Sequence, residues 1–260
     1  LDGFLKAIRQ PNGIILVTGP TGSGKTTTLY AALSELNDAT RNIVTLEDPV
    51  EYHIDRINQI QTHAKIGLTF AAGLRSVLRL DPNVILVGEI RDAETAEIAI
   101  QAAITGHLVF STLHTNDAVS AIHRFLNMRV EPVLLADALR GVLAQRLVRS
   151  LCVHCKKSTP ATDIEKNILG KDLKAQEYFT PGSCTQCFNT GYSGRIAIHE
   201  WLTTTASLRE LILRKSSADQ LLLAAENDGL KTMRHDGLEK AASGLTSLSE
   251  IIRVTRGGEE

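Results

Sequence analysis

Four short apolar runs, Ile14 to Thr18, Ile43 to Glu47, Val84 to Gly88 and Leu108 to Thr112, punctuate the first half of the chain. Longer stretches with apolar residues at helical spacing separate them. Each run is continuous rather than alternating, the pattern of a parallel strand covered on both faces. Helical pattern fills residues 27–36, begins again after Asp92 with Ala96, Ala99, Ile100 and Ala103 on one side, and follows Glu131 with Pro132 at an early helical position. The alternation from Gly13 to about Leu147 predicts an α/β core. After Leu151 paired cysteines, basic residues and turn residues take over, ending at Gly191 to Gly194. Beyond Trp201 the pattern is helical, with capping boxes expected at Ser217 to Gln220 and Ser247 to Glu250. The expected division is a core over residues 1–150, an inserted subdomain over 151–195 and a mostly helical part over 196–260 that belongs with the core.

Composition narrows the classes. With 28 basic against 29 acidic residues the formal net charge is −1, so no global attraction draws the chain to nucleic acid or to an anionic membrane. Ile14 to Val17 is far too short to span a bilayer and no charged-then-apolar leader opens the chain, which predicts a soluble, cytosolic protein. The first residue is Leu1 rather than Met, and helix-like apolar spacing begins at Phe4 and Leu5, so a piece of a longer protein is expected, with an N-terminal domain preceding it.

The first chemical signal is Gly19-Pro20-Thr21-Gly22-Ser23-Gly24-Lys25-Thr26, which fits G-x-x-x-x-G-K-[ST] directly after an apolar strand and before a helix that begins near Thr27. Glycines let backbone amides turn toward phosphate oxygens, and the helix N-terminus adds a favourable dipole. Lys25 is expected to reach the β and γ phosphates of ATP, and Thr26 to ligate Mg²⁺. The alternative, an ordinary glycine-rich turn, does not account for the strand before it and the helix after it.

Three further segments put polar groups at strand ends, the edge where α/β sheets bind ligands. Thr45-Leu-Glu47-Asp48-Pro-Val-Glu51-Tyr52 offers Glu47, which could order the water shell of the metal. Val84-Ile-Leu-Val-Gly88-Glu89-Ile-Arg91-Asp92 delivers Glu89 rigidly to the water side of a nucleotide, as a general base. Thr105-Gly-His107-Leu-Val-Phe-Ser-Thr-Leu-His114-Thr-Asn-Asp117 puts His114 where it could hydrogen-bond to the γ phosphate. Singly, each has a bland alternative: His114 as a structural hydrogen-bonder, Glu89 as a helix-start carboxylate. Their combination after one phosphate loop favours the functional reading.

All four cysteines fall in two C-x-x-C pairs, Cys152 with Cys155 and Cys184 with Cys187. Two such knuckles can close a four-thiolate shell around one Zn²⁺ and staple a segment too poor in core to fold by itself. Disulfides are disfavoured in a cytosolic chain, and redox work would not need the second pair. His154 could compete as a ligand, but a four-thiolate site leaves it no vacancy.

The four segments resemble the Walker A, Asp box, Walker B and His box of the secretion ATPase superfamily, which drives type II secretion and type IV pilus assembly. Leu143-Ala-Gln-Arg-Leu-Val-Arg-Ser-Leu-Cys152 resembles that superfamily as well. The resemblance covers almost the whole chain and implies a RecA-like P-loop NTPase core with a small tetracysteine zinc subdomain and C-terminal helices. It further implies a homo-hexameric ring, peripheral at the cytoplasmic face of the inner membrane through an inner-membrane platform and cytoplasmic-domain anchor proteins. Gly88 stands where many P-loop enzymes carry a metal-binding Asp; the superfamily is similar there, and Glu89 carries more of the chemistry. Tetracysteine subdomains are similar to those of assembly and secretion ATPases, whereas pilus retraction ATPases generally lack them. The resemblance therefore implies an ATP-hydrolysing assembly or secretion motor rather than a retraction motor; the reading taken is type II secretion, with type IV pilus assembly as the alternative, since both machines use this core.

Charge for the transition state, often borrowed from a neighbouring subunit, has candidates in Arg56, Arg75, Arg79, Arg91 and Arg124. In the resembled superfamily, arginines of a preceding N-terminal domain also reach the nucleotide. Two other classes compete: a RecA-like nucleic-acid translocase, disfavoured by balanced charge and by the shortness of the basic cluster at Lys156 and Lys157, and a nucleotide-dependent scaffold without turnover.

Overall fold

The structure, a computed structural model, describes residues 2–172 and 177–255. Residues 173–176 of the expected subdomain and 256–260 of the expected helical part lie outside the described residues. In chain order the elements are α1 (Asp2–Ala7), β1 (Gly13–Thr18), α2 (Lys25–Leu36), β2 (Ile43–Glu47), β3 (Asn58–Gln61), α3 (Phe70–Val77), β4 (Val84–Val87), α4 (Ala93–Ile104), β5 (Leu108–Leu113), α5 (Ala118–Asn127), α6 (Pro132–Ala138) and β6 (Leu139–Leu151). They continue with β7 (Lys157–Pro160), α7 (Asp163–Leu169), β8 (Glu177–Thr180), β9 (Tyr192–Thr203), α8 (Ala206–Leu213), α9 (Ala218–Asn227), α10 (Met233–Ala242) and α11 (Leu248–Thr255).

Two compact units emerge, one of residues 1–21, 25–144 and 201–230, the other of 22–24, 145–200 and 231–260. They cut across the three-part division read from the sequence. The helical tail is shared out: α8 and α9 belong to the first unit, α10 and α11 to the second. The reason is packing. α8 packs on α6, whereas α10 packs on β8 and α11.

The main sheet has seven strands in the order β3-β2-β4-β5-β1-β6-β9. β1 lies between β5 and β6, parallel to both, with Ile15 opposite Phe110 on one side and Gly141 on the other. The four apolar runs form β1, β2, β4 and β5, and every residue of these strands is buried, as two covered faces require. Ile15, Val17, Leu29, Leu33, Leu86, Phe110 and Leu143 belong to one core cluster of the first unit. The outgoing ends of its parallel strands lead into capped helices. Asp92 caps α4 by accepting from the Thr95 amide at 2.8 Å, and Asp117 caps α5 by accepting from the Ser120 amide at 2.7 Å.

In the second unit β7 and β8 form an antiparallel pair with Lys157 opposite Thr180. Glu250 on α11 is buried and accepts from the Arg149 amide at 3.0 Å, from the Arg149 guanidinium at 2.7 Å and from Arg253 at 2.9 Å. That network corrects one expectation. The capping box at Ser217 and Gln220 forms fully, but at Ser247 only the Glu250 amide bonds back, because the Glu250 carboxylate is drawn to the two arginines.

Candidate functional site

The loop after β1 is built by its glycines. Gly19, Gly22 and Gly24 have φ of 146°, 79° and 87°, backbone that a side chain would strain. Thr18 fastens the loop's entry to the end of β5: its hydroxyl donates to the Leu113 carbonyl at 3.1 Å and accepts from the Thr115 amide at 2.9 Å. At the exit, Lys25 folds back so that its ammonium donates to the carbonyls of Gly19 at 2.7 Å and Pro20 at 3.1 Å. Burial lowers the proton affinity of Lys25, and the Glu89 carboxylate partly restores it. Thr26 and Thr27 are exposed at the start of α2. At the apex Ser23 is buried, its Oγ lacks a hydrogen-bond partner among the described residues, and a Cβ on Gly22 would meet open space. An orphaned buried donor in a glycine loop that opens a helix fits a phosphate chain.

Glu89 follows β4 directly. Its side chain is 12% exposed; one oxygen pairs with the Arg91 guanidinium at 2.5 Å and the other lies 3.5 Å from His114 Nε2, at the end of β5. The structure therefore brings Glu89 and His114 together where β4 and β5 end, with the Glu89 charge acting on Lys25 at the start of α2. The bland reading of Glu89 as a helix-start carboxylate gives way, since Asp92 occupies the cap of α4.

Glu47 is different. Its carboxylate is buried and accepts from Thr45 Oγ1 at 2.6 Å, from Gln59 Nε2 at 3.1 Å and from the Tyr30 hydroxyl in a very short contact. Burial, then the bond to Glu47, raises the Tyr30 pKa. Both oxygens of Glu47 are thus held by donors of its own chain. Tyr30, Thr45 and Gln59 were not singled out from the sequence; they come from three different elements and only the fold joins them. Among the candidate arginines, Arg91 is engaged with Glu89 in its own chain and Arg75 with exposed Glu94 at 2.7 Å.

The second unit gathers the cysteines. The Sγ atoms of Cys152, Cys155, Cys184 and Cys187 all lie within 4.8 Å of one another. The Cys152–Cys184 and Cys155–Cys187 separations are 3.8 Å and the Cys184–Cys187 separation is 3.6 Å. A tetrahedron with Zn–S bonds of about 2.3 Å has edges of about 3.8 Å, so the donor set and its spacing fit Zn²⁺. His154 is not in the cluster, and the cysteines are not disulfide-bonded. Gly191 donates its amide to Cys187 Sγ at 3.2 Å, a bond that would help orient a thiolate on a metal.

The profile of a family described as type II/IV secretion system protein matches residues 1–253. The chain is 50% identical over 258 residues to the type II secretion system ATPase E of Vibrio cholerae serotype O1, covering 98% of this chain and 51% of that protein. It is 49% identical over 259 residues to the type IV pilus assembly ATPase PilB of Myxococcus xanthus, covering 98% of this chain and 46% of that one. The chain spans about half the length of the curated relatives it matches. The crystal structure of the pilus retraction motor PilT with bound ADP superposes with a TM-score of 0.73 at 31% identity, over 98% of this chain and 64% of PilT, so the fold is shared.

Proposed function

Since the chain belongs to the type II/IV secretion system protein family, we propose that it is the ATP-hydrolysing part of a ring-forming motor that powers type II secretion. The single observation that carries this is the meeting of Glu89 and His114 where β4 and β5 end, with the Glu89 charge acting on Lys25 at the exit of a glycine loop that opens α2. In this reading the residues 19–24 wrap the phosphate chain with backbone amides, Lys25 leaves the Gly19 and Pro20 carbonyls for the β and γ phosphates, and Thr26, with Thr27 beside it, holds Mg²⁺. The metal supplies positive charge to the phosphates. Glu89 is the general base: Arg91 and His114 hold its carboxylate aimed, and it takes a proton from the attacking water. His114, alongside, is placed to sense the γ phosphate. Glu47 acts one step back, keeping the end of β2 rigid through Tyr30, Thr45 and Gln59.

Zinc in the tetracysteine cluster is structural, since four thiolates leave no open position. The working form is a homo-hexamer, held peripherally at the cytoplasmic face of the inner membrane by a membrane platform and anchor proteins. Nucleic acid is not a partner, in keeping with the balanced charge. A second reading, the extension motor of type IV pilus assembly, is favoured by one observation, the near-equal identity to PilB.

The test is ATP turnover by the chain and by Glu89→Gln, each fused to a hexamerising partner and assayed with and without DNA. Turnover lost in the variant and indifferent to DNA is the expected result. Turnover that rises strongly with DNA would move the assignment to a translocase, and parent-like hydrolysis by Glu89→Gln would reject that residue as the base.

A further inference from the structure

The stretch Leu143–Cys152 enters the sequence reading only by resemblance, yet its geometry is specific. Resting on the reading of residues 19–26 as the phosphate loop, we propose that Gln145 is a positioning residue for that loop. By holding the carbonyl of Ser23, it aims the backbone amide of Gly24 at the phosphate chain.

Gln145 lies on β6 and is 1% exposed. Its Nε2 donates to the Ser23 carbonyl at 2.6 Å. In a trans peptide the carbonyl of one residue and the N–H of the next lie in one plane and point in opposite directions. Fixing the Ser23 carbonyl on Gln145 therefore turns the Gly24 N–H away from β6. Backbone N–H groups oriented in this way, in a loop at a helix N-terminus, are the donors that bind phosphate. Free rotation of this peptide would swing a carbonyl oxygen toward the anion instead.

The contact leaves little slack. A Cβ built on Gly24 would lie 3.1 Å from Gln145 Nε2 and 3.7 Å from Leu147 Cδ2, so the loop apex rests on these two side chains. Residues 145 and 147 share one face of the strand, as the period of two requires, and residue 146 points the other way. There the Arg146 guanidinium donates to the Val254 carbonyl of α11 at 2.6 Å, and two residues beyond Leu147 Arg149 is bonded to Glu250. β6 is thus tied to α11 by Arg146 on its far side and by Arg149 further along the face that carries Gln145, and the donor that orients the loop stands on a rigid element.

The test is nucleotide binding by Gln145→Met, which keeps length and apolar bulk but removes the donor. Titration with a fluorescent ATP analogue and Mg²⁺ should give an affinity at least about tenfold weaker than the parent's, the scale of one lost buried hydrogen bond. The thermal midpoint without nucleotide should stay near the parent's, and amide hydrogen exchange at residues 20–24 should quicken while that of β6 does not. A folded variant with parent-like affinity overturns the proposal, and so does a lowered midpoint with unchanged affinity, the mark of a packing role alone. Should Gln145→Met fail to fold, Gln145→Asn, which keeps the amide but draws it back by one methylene, carries the same two readings. Lys25→Ala separates the premises. If it loses nucleotide while Gln145→Met does not, only the role of Gln145 falls; if Lys25→Ala itself binds like the parent, the phosphate-loop reading falls.

Discussion

Glu89 and Glu47 both stand where a parallel strand ends, and their neighbours give them different work. Glu89 is paired with an arginine that is 72% exposed and with a histidine at 3.5 Å, contacts that an arriving substrate can rearrange. Glu47 is locked among three donors, so Glu47→Gln turns an amide N–H toward at least one of them. We expect Glu47→Gln to lose about 1–3 kcal/mol of stability and Glu89→Gln to change it by less than about 0.5 kcal/mol. Chemical denaturation of the two variants checks this, and equal midpoints would refute the distinction. Glu250 yields a prediction in pH. Burial pushes its carboxyl up, but bonds from Arg253 and Arg149 outweigh that and hold it down at about 2. An unfolded glutamate titrates near about 4.3, so this stabilisation is complete above that pH and is lost as pH falls through about 2. Glu250→Gln should therefore cost about 1–3 kcal/mol at neutral pH, because it leaves two half-exposed arginines without their charged acceptor. It should also flatten the fall in stability between pH 4 and 2, which denaturant midpoints along a pH series would reveal. The placement of the loop glycines, Lys25 and Glu89 between strand and helix was legible in the sequence because it is set locally. Tyr30, Gln59 and Gln145 were not, because each acts through a partner distant in the chain.

At the scale of elements, β1, β2, β4 and β5 could be read directly because total burial turns a strand into an uninterrupted apolar run. β6 could not. Its thirteen residues carry Arg140, Arg146 and Arg149, each of which leaves the strand for a specific acceptor, so the apolar signal is broken where the strand is most constrained. β3 was hidden for the opposite reason, being short and polar. Helix starts were easier, since caps are written in adjacent residues. Asp92 provides the check: both its carboxylate oxygens bond Thr95, so it serves α4 rather than a metal. Asp92→Ala should lower stability by about 1 kcal/mol and leave nucleotide affinity as it was, and a loss of affinity at unchanged stability would contradict that role. Gly141 gives a packing counterpart. A Cβ there would lie 2.4 Å from the Trp201 ring, so Gly141→Ala is expected to cost about 1–3 kcal/mol by overpacking, read from its melting curve.

At the scale of the molecule, the cysteine cluster and the chain's path matter most. Elemental analysis should find about one zinc per chain, and chelation should lower the melting temperature, because such metal binding is also folding free energy. A Cys184→Ser variant that retained zinc stably would rule out the four-thiolate site. The second unit is assembled from separate stretches of sequence, and this bears on descent. Recombination moves contiguous blocks. A crossover carrying only residues 145–200 into a related gene would bring Arg149 and the Ala197 carbonyl without Glu250 and Lys240, the partners they bond. Residues 231–255 must travel with them or find a recipient that already matches. Hybrids of related family members should therefore tolerate exchange of the two blocks together better than of either alone, and changes at positions 149 and 250 should be inherited as a pair.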